Sequence, residues 1–163
     1  MMLVLWLVAS IFLIFAAAVF FGSPYLRTHR QCIEVALDLL ELKPGDTLLD
    51  LGSGDGAVLI AASKRGIRSI GYEINPILWF VTWLRIRRYG GLAKVNLGSM
   101  WRAKITPDVN GVFIFLDSRF LERLDVLMRA SGLPLRLTSY SYLIPDKEPV
   151  KSVKGVHLYE YPN

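Results

Sequence analysis

The chain has one cysteine, Cys32, and two histidines, His29 and His157, in 163 residues. A lone cysteine excludes an intramolecular disulfide and agrees with a reducing compartment. With two isolated histidines it gives no ligand set of recognised spacing, so no metal site is expected. Charge is absent from the first 26 positions: all 19 basic and 14 acidic residues lie at or after Arg27. No basic residue therefore precedes the opening apolar stretch, which argues against a signal peptide. The remaining sequence carries a net charge of +5 but no aromatic-basic RNA signature, so nucleic acid is not the expected partner.

What fills the uncharged part is an apolar run from Met2 to Phe21, broken only by Ser10. As a helix it would span roughly 30 Å, the thickness of a bilayer's hydrocarbon core. Ala16-Ala17-Ala18 mimics a cleavage site, but Val19-Phe20-Phe21 continues the run. A buried core helix is the plainer alternative, disfavoured by the length of the stretch. The expectation is a single-pass transmembrane anchor over 1–22. Arg27 and Arg30 follow it directly, and the positive-inside rule places the rest of the chain on the cytosolic side.

Beyond the Gly22-Ser23-Pro24 break, a period of 3.6 predicts a helix over 28–42, with Cys32, Ile33, Ala36, Leu37 and Leu40 on its apolar face. Cys32 then reads as a small core residue. Strands are predicted at 47–51, 69–73, 94–97, 112–116, 135–142 and 153–161, and helices at 57–64, 75–89 and 119–130. Pro76 suits a helix's first turn, and Gly90-Gly91 its end. Strands alternating with helices imply an α/β fold: a doubly wound, Rossmann-like, mostly parallel sheet after one N-terminal transmembrane helix.

The first strand-to-helix turn reads Asp50-Leu51-Gly52-Ser53-Gly54-Asp55-Gly56. Glycines there let a ligand approach the backbone at the carboxyl edge of the sheet. Glu73, at the end of the next strand and about 20 residues on, suits ribose hydroxyls. Gly52, Gly54 and Ala57 satisfy a dinucleotide fingerprint. The longer string with Asp50 and Gly56 resembles the first motif of class I S-adenosylmethionine-dependent methyltransferases. A dinucleotide enzyme would also want a substrate domain, for which there is no room. A tight turn with no ligand is the remaining alternative.

Further segments follow in order: Ser23-Pro24-Tyr25-Leu26-Arg27-Thr28, Lys43-Pro44-Gly45-Asp46, Gly71-Tyr72-Glu73-Ile74-Asn75-Pro76, Met100-Trp101, Val112-Phe113-Ile114-Phe115-Leu116 and Leu158-Tyr159-Glu160-Tyr161. Their order and spacing resemble the small membrane-anchored protein-lysine methyltransferases whose mitochondrial members modify the adenine nucleotide translocase and the ATP synthase c-subunit. The resemblance covers about 22–163 and implies a methyltransferase domain over 23–163 that uses S-adenosylmethionine. It implies cofactor contacts from Asp50, Gly52, Ser53, Gly54, Gly56, Glu73, Ile74 and Asn75, with Ser99 and Met100 flanking the adenine. Tyr25 and Thr28, in the family's pre-strand motif, would help enclose the acceptor. Ser99 departs from the family's usual Asp, the Pro-rich stretch after the Tyr is missing, and Ala57 stands where an Arg is common.

Asp117, at the end of the fourth strand, lies where acceptor-binding residues often occur and is the one catalytic candidate. Its plainer role is to cap the next helix. No Asn/Asp-Pro-Pro-Tyr-type motif follows that strand, which argues against methylation of a nucleobase or glutamine. Positions 74–84 hold no charge and are apolar nearly all round, and Arg85, Arg87 and Arg88 follow. That helix either packs on the sheet with a solvated basic end or presents an apolar face to anionic lipid. The expected function is methylation of a lysine in a membrane or membrane-associated protein. The alternatives are a lipid or small hydrophobic acceptor, or a catalytically degenerate membrane scaffold.

Overall fold

A computed structural model of the chain describes residues 2–21 and 27–162. Helix α1 (Met2–Phe21) has 20 residues and no charged side chain, and its large side chains from Met2 to Val8, with Phe12, are exposed. Among the residues whose side chains are described, no helix is long and apolar enough to cross a membrane. The structure thus has a helix where the sequence predicts an anchor, and it does not show a membrane span.

The remaining elements are α2 (Arg30–Leu40), β1 (Thr47–Leu51), α3 (Ala57–Lys64), β2 (Arg68–Glu73), α4 (Pro76–Ile86), β3 (Ala93–Leu97), β4 (Gly111–Ile114), α5 (Leu121–Ala130), β5 (Leu135–Tyr140), β6 (Lys151–Val153) and β7 (Val156–Tyr161). They build a seven-stranded sheet of order β3-β2-β1-β4-β5-β7-β6. The strands from β3 to β5 are parallel; β7 runs antiparallel to both β5 and β6.

Every residue of β1 is buried, as expected of a central strand covered on both faces. Alternation sends Leu48 and Phe113 to the side packed by α2 and α3. Leu49, Leu51, Val112 and Ile114 go to the side packed by α5. A third cluster of Leu59, Ile60, Ile86 and Ala93 seats α3 and the end of α4 over β3. Arg136 on β5 donates to the Leu40 carbonyl (3.1 Å) and to Glu41 (2.7 Å), holding the end of α2 at the amino edge of the sheet. The start of α2 therefore lies toward the carboxyl edge, where the turn after β1 also emerges. Strand order reverses between β1 and β4, and ligands of open α/β sheets bind in the crevice at such a switch point.

Several boundaries differ from expectation. The segment expected as one strand at 153–161 is a hairpin, because Lys154 and Gly155 take φ of 51° and 76°, a two-residue turn that reverses the chain. Strand β5 stops at Tyr140, since Ser141 adopts φ 73°. Strand β4 stops at Ile114, leaving Phe115 and Leu116 outside the ladder. The helices are trimmed as well. Helix α2 ends on a left-handed Glu41, and α4 gives way to a 3-10 turn, Arg87–Tyr89, closed by Gly90.

Candidate functional site

The turn after β1 is held by bonds that reach it from two neighbouring elements. From β2, the Tyr72 carbonyl accepts from Gly52 N–H (3.0 Å) and Ser53 N–H (2.9 Å). At the end of the same strand, Glu73 Oε2 accepts from Gly54 N–H at 2.8 Å, and Glu73 Oε1 accepts from Asn75 N–H at 2.8 Å. Asn75 caps α4 by accepting from Ile77 N–H (2.9 Å) and Leu78 N–H (3.3 Å). Two turns further along α4, Thr82 Oγ1 donates to the Gly54 carbonyl at 2.7 Å. The two peptide units that flank Gly54 are thus gripped by β2 and α4. Arg85 adds an ion pair to Asp55 at 2.5 Å and donates to the Asp55 carbonyl.

Two glycines here are required by close approach. At Gly56 (φ 77°) a Cβ would lie 2.7 Å from Thr82 Cγ2. At Gly71 it would lie 2.8 Å from Leu59 and from the Ser53 side chain. By contrast, nothing lies within 4 Å of a Cβ built on Gly52, so the loop is open on that side.

The electrostatics are unbalanced. Asp50 is 2% exposed and its Oδ2 is buried without a hydrogen-bond partner, as is Ser53 Oγ. Burial, followed by repulsion from Glu73 and Asp55, pushes the Asp50 carboxyl up to about 8. Burial also raises Glu73, against the backbone N–H groups of Asn75, Gly54 and Ile74, which favour its charge. An unpartnered carboxyl oxygen and hydroxyl beside a second carboxyl suit a ligand that brings positive charge and hydroxyl donors. The Glu73 oxygens each accept from a protein amide and keep acceptor capacity for further donors.

The expected site residues divide between two places. Asp50, Gly52, Ser53, Gly54, Gly56, Glu73 and Asn75 come together around the turn, while Ile74 is 39% exposed at its rim. Gly98 N–H donates to the Glu73 carbonyl (2.8 Å), bringing the chain after β3 alongside. Ser99 and Met100 follow, half-buried; Ser99 Oγ accepts from Trp101 N–H and caps a short 3-10 turn. Asp117 lies three residues past β4 rather than at its end. It accepts from Arg119 N–H (3.1 Å) and pairs with Arg119 Nε (3.3 Å), realising the capping role. Thr28 is half-buried just before α2; Tyr25 lies outside the described residues. No group of three or more metal-ligating side chains is found among the described residues. Sequence reasoning missed Thr82 and grouped Arg85 with Arg87 and Arg88 as a basic end, either solvated or at anionic lipid; the Arg85 guanidinium is instead committed to Asp55.

No family model matches the chain. By sequence it is 34% identical over 135 residues to the Mus musculus adenine nucleotide translocase lysine N-methyltransferase, covering 80% of this chain and 58% of that protein. It is 32% identical over 130 residues to the Homo sapiens ATP synthase c-subunit lysine N-methyltransferase, covering 77% and 54%. The chain spans little more than half the length of these relatives. By structure it superposes on an RNA methyltransferase from Salinibacter ruber in complex with S-adenosyl-L-homocysteine, with TM-score 0.77 and 25% identity, covering 84% of this chain and 94% of that one. This is a methyltransferase fold. Within it, the gripped turn after β1 and Glu73 at the end of β2 form the candidate site.

Proposed function

We propose that the chain is an S-adenosylmethionine-dependent methyltransferase acting on a lysine of a membrane or membrane-associated protein. The observation that carries the donor is the pair of buried, unpartnered oxygens, Asp50 Oδ2 and Ser53 Oγ, beside an open glycine turn and Glu73. S-adenosylmethionine, when bound, supplies a methyl group activated on a sulfonium. Asp50 offers a negative charge to the donor's ammonium end, and Glu73 offers acceptors to its ribose hydroxyls. The backbone of 52–54 lets the donor approach closely. The work left to the protein is to hold a neutral amine in line with the methyl carbon, and positioning of that kind supplies much of the acceleration. The lysine acceptor is supported by the two relatives named above.

The membrane reading rests on α1, a helix of 20 residues without charge, followed by Arg27 and Arg30. As an anchor it would place the catalytic domain on the cytosolic side. On α4 the exposed Phe80, Val81, Trp83 and Leu84 adjoin Arg87 and Arg88, with Arg87 over the Trp83 ring at 4.8 Å. Aromatic rings beside arginines suit the headgroup level of an anionic bilayer.

A lipid or small hydrophobic acceptor is the second reading, favoured by that same apolar face. Transfer of labelled methyl groups into membrane extracts separates the two. Protease-sensitive label supports a protein acceptor, solvent-extractable label the lipid reading, and nuclease-sensitive label would point to RNA instead. Failure of the folded protein to bind S-adenosylhomocysteine would leave only the scaffold reading.

A further inference from the structure

Helix α4 touches the glycine turn as a second support beside β2, and its polar contacts there are few and specific. Thr82 is fully buried, and its hydroxyl donates to the Gly54 carbonyl at 2.7 Å. Its methyl group fills the space that a side chain at position 56 would occupy, 2.7 Å from the built Cβ. The amide of Gly54 is held by Glu73, whose other oxygen holds the amide of Asn75, and the Asn75 side chain caps the helix that carries Thr82. The bonds close a ring: Gly54, Glu73, Asn75, α4, Thr82 and back to Gly54. Arg85, one turn beyond Thr82, fixes the next residue of the turn through the Asp55 carboxylate and carbonyl.

On the reading of this turn as the donor site, we propose that Thr82 and Arg85 are positioning residues that hold the turn in its donor-binding shape. Neither side chain needs to touch the donor. Glu73 is the one member of the ring with a carboxylate, and it is shared between the Gly54 amide and the ribose. A turn fixed independently by Thr82 keeps its peptide orientation while Glu73 takes up new donors. Without Thr82 the Gly54 carbonyl is left buried or must turn away, so part of the binding free energy is lost to reordering the turn.

The test is calorimetry of S-adenosylhomocysteine binding to the full chain in detergent micelles, with donor KM and kcat measured on membrane extract. Thr82→Val keeps the shape and removes the hydroxyl. It should weaken binding about 5- to 30-fold, the range of one lost buried hydrogen bond. The rise in donor KM should exceed the fall in kcat. Thr82→Ser should recover most of the affinity, because the hydroxyl and not the methyl group holds the carbonyl. Arg85→Gln, at a half-buried ion pair that is easier to lose without unfolding, should weaken binding by a smaller factor of about 2 to 5. Parent-like affinity in Thr82→Val and Arg85→Gln, both with parent circular dichroism, overturns the proposal while leaving the methyltransferase reading intact. So does a Thr82→Ser variant no better than Thr82→Val. If the parent chain itself binds no S-adenosylhomocysteine, both readings fall together.

Discussion

The two halves of the carboxyl edge are built differently. On the β1–β3 side, the glycine turn is closed by amide, carboxylate and hydroxyl bonds from β2 and α4, and every backbone group of Gly54 has a partner. On the β4–β5 side the strands stop early, Phe115 and Tyr140 pack with ring centroids 4.7 Å apart, and Tyr142 and Leu143 are exposed beyond a left-handed Ser141. The first half is braced by its own bonds before any ligand arrives. On the proposed function, the donor would meet a cradle already braced, while the acceptor would meet a short, apolar rim. On that reading, acceptor choice would rest on the rim and on whatever brings the acceptor to it.

The sharpest way to break that contrast is to destroy the cradle alone. Gly54 takes φ 53° between Glu73 and Thr82. Gly54→Arg would place a long side chain in the loop's approach path. Donor binding should be lost, by more than about 100-fold, on calorimetric titration with S-adenosylhomocysteine, while the fold is retained by circular dichroism. Next in size is Gly71→Ala, which puts a methyl group 2.8 Å from Leu59 and Ser53. Overpacking of this kind costs about 1–3 kcal/mol, and the turn should shift with Ser53, so urea unfolding and donor titration should both report it.

The same contrast decides what could be read from sequence. The Asp50-to-Gly56 turn and Glu73 were legible because their chemistry is local: each glycine and carboxylate sits at a strand end whose position follows from hydrophobic runs. Pro76 at the start of its helix was legible for the same reason. Thr82 was not, because its partner lies 28 positions away and nothing about a threonine within an apolar helix announces a bond to a distant carbonyl. Arg85 was misread because three basic residues close together look alike until one of them meets Asp55. The β6–β7 hairpin was missed although Lys154-Gly155 carries a turn signal, since the flanking Val153 and Val156 read as one continuous run.

The electrostatics of the cradle give a smaller effect with a definite sign. Asp50 sits at about 8 in the free protein, so between the ordinary carboxylate range and that value the native state holds a proton that the unfolded chain has released. Stability from this group is therefore greatest at low pH and declines as pH rises toward 8. Donor affinity should run the opposite way. A cationic ligand needs the ionised carboxylate, so binding should tighten on the order of tenfold from pH 6.5 to 8.5, with proton release visible in buffers of different ionisation enthalpy. Asp50→Asn should bind weakly and without that slope. Parent affinity that is flat across this range and matched by that of Asp50→Asn would show that Asp50 does not face the donor.

The smallest effect on donor binding is expected from the other half of the edge. Asp117 is engaged with Arg119 as a helix cap, three residues beyond β4. If the two halves work separately, Asp117→Asn should leave the affinity for S-adenosylhomocysteine within about twofold of the parent, since a half-exposed cap contributes about 1 kcal/mol to local structure. Its whole effect should fall on the acceptor, read as label transferred per minute into membrane extract at saturating donor. A loss of donor affinity as large as that of Gly54→Arg would mean that the rim and the cradle form one unit. An unchanged rate of transfer would confine Asp117 to capping and remove it from the acceptor site.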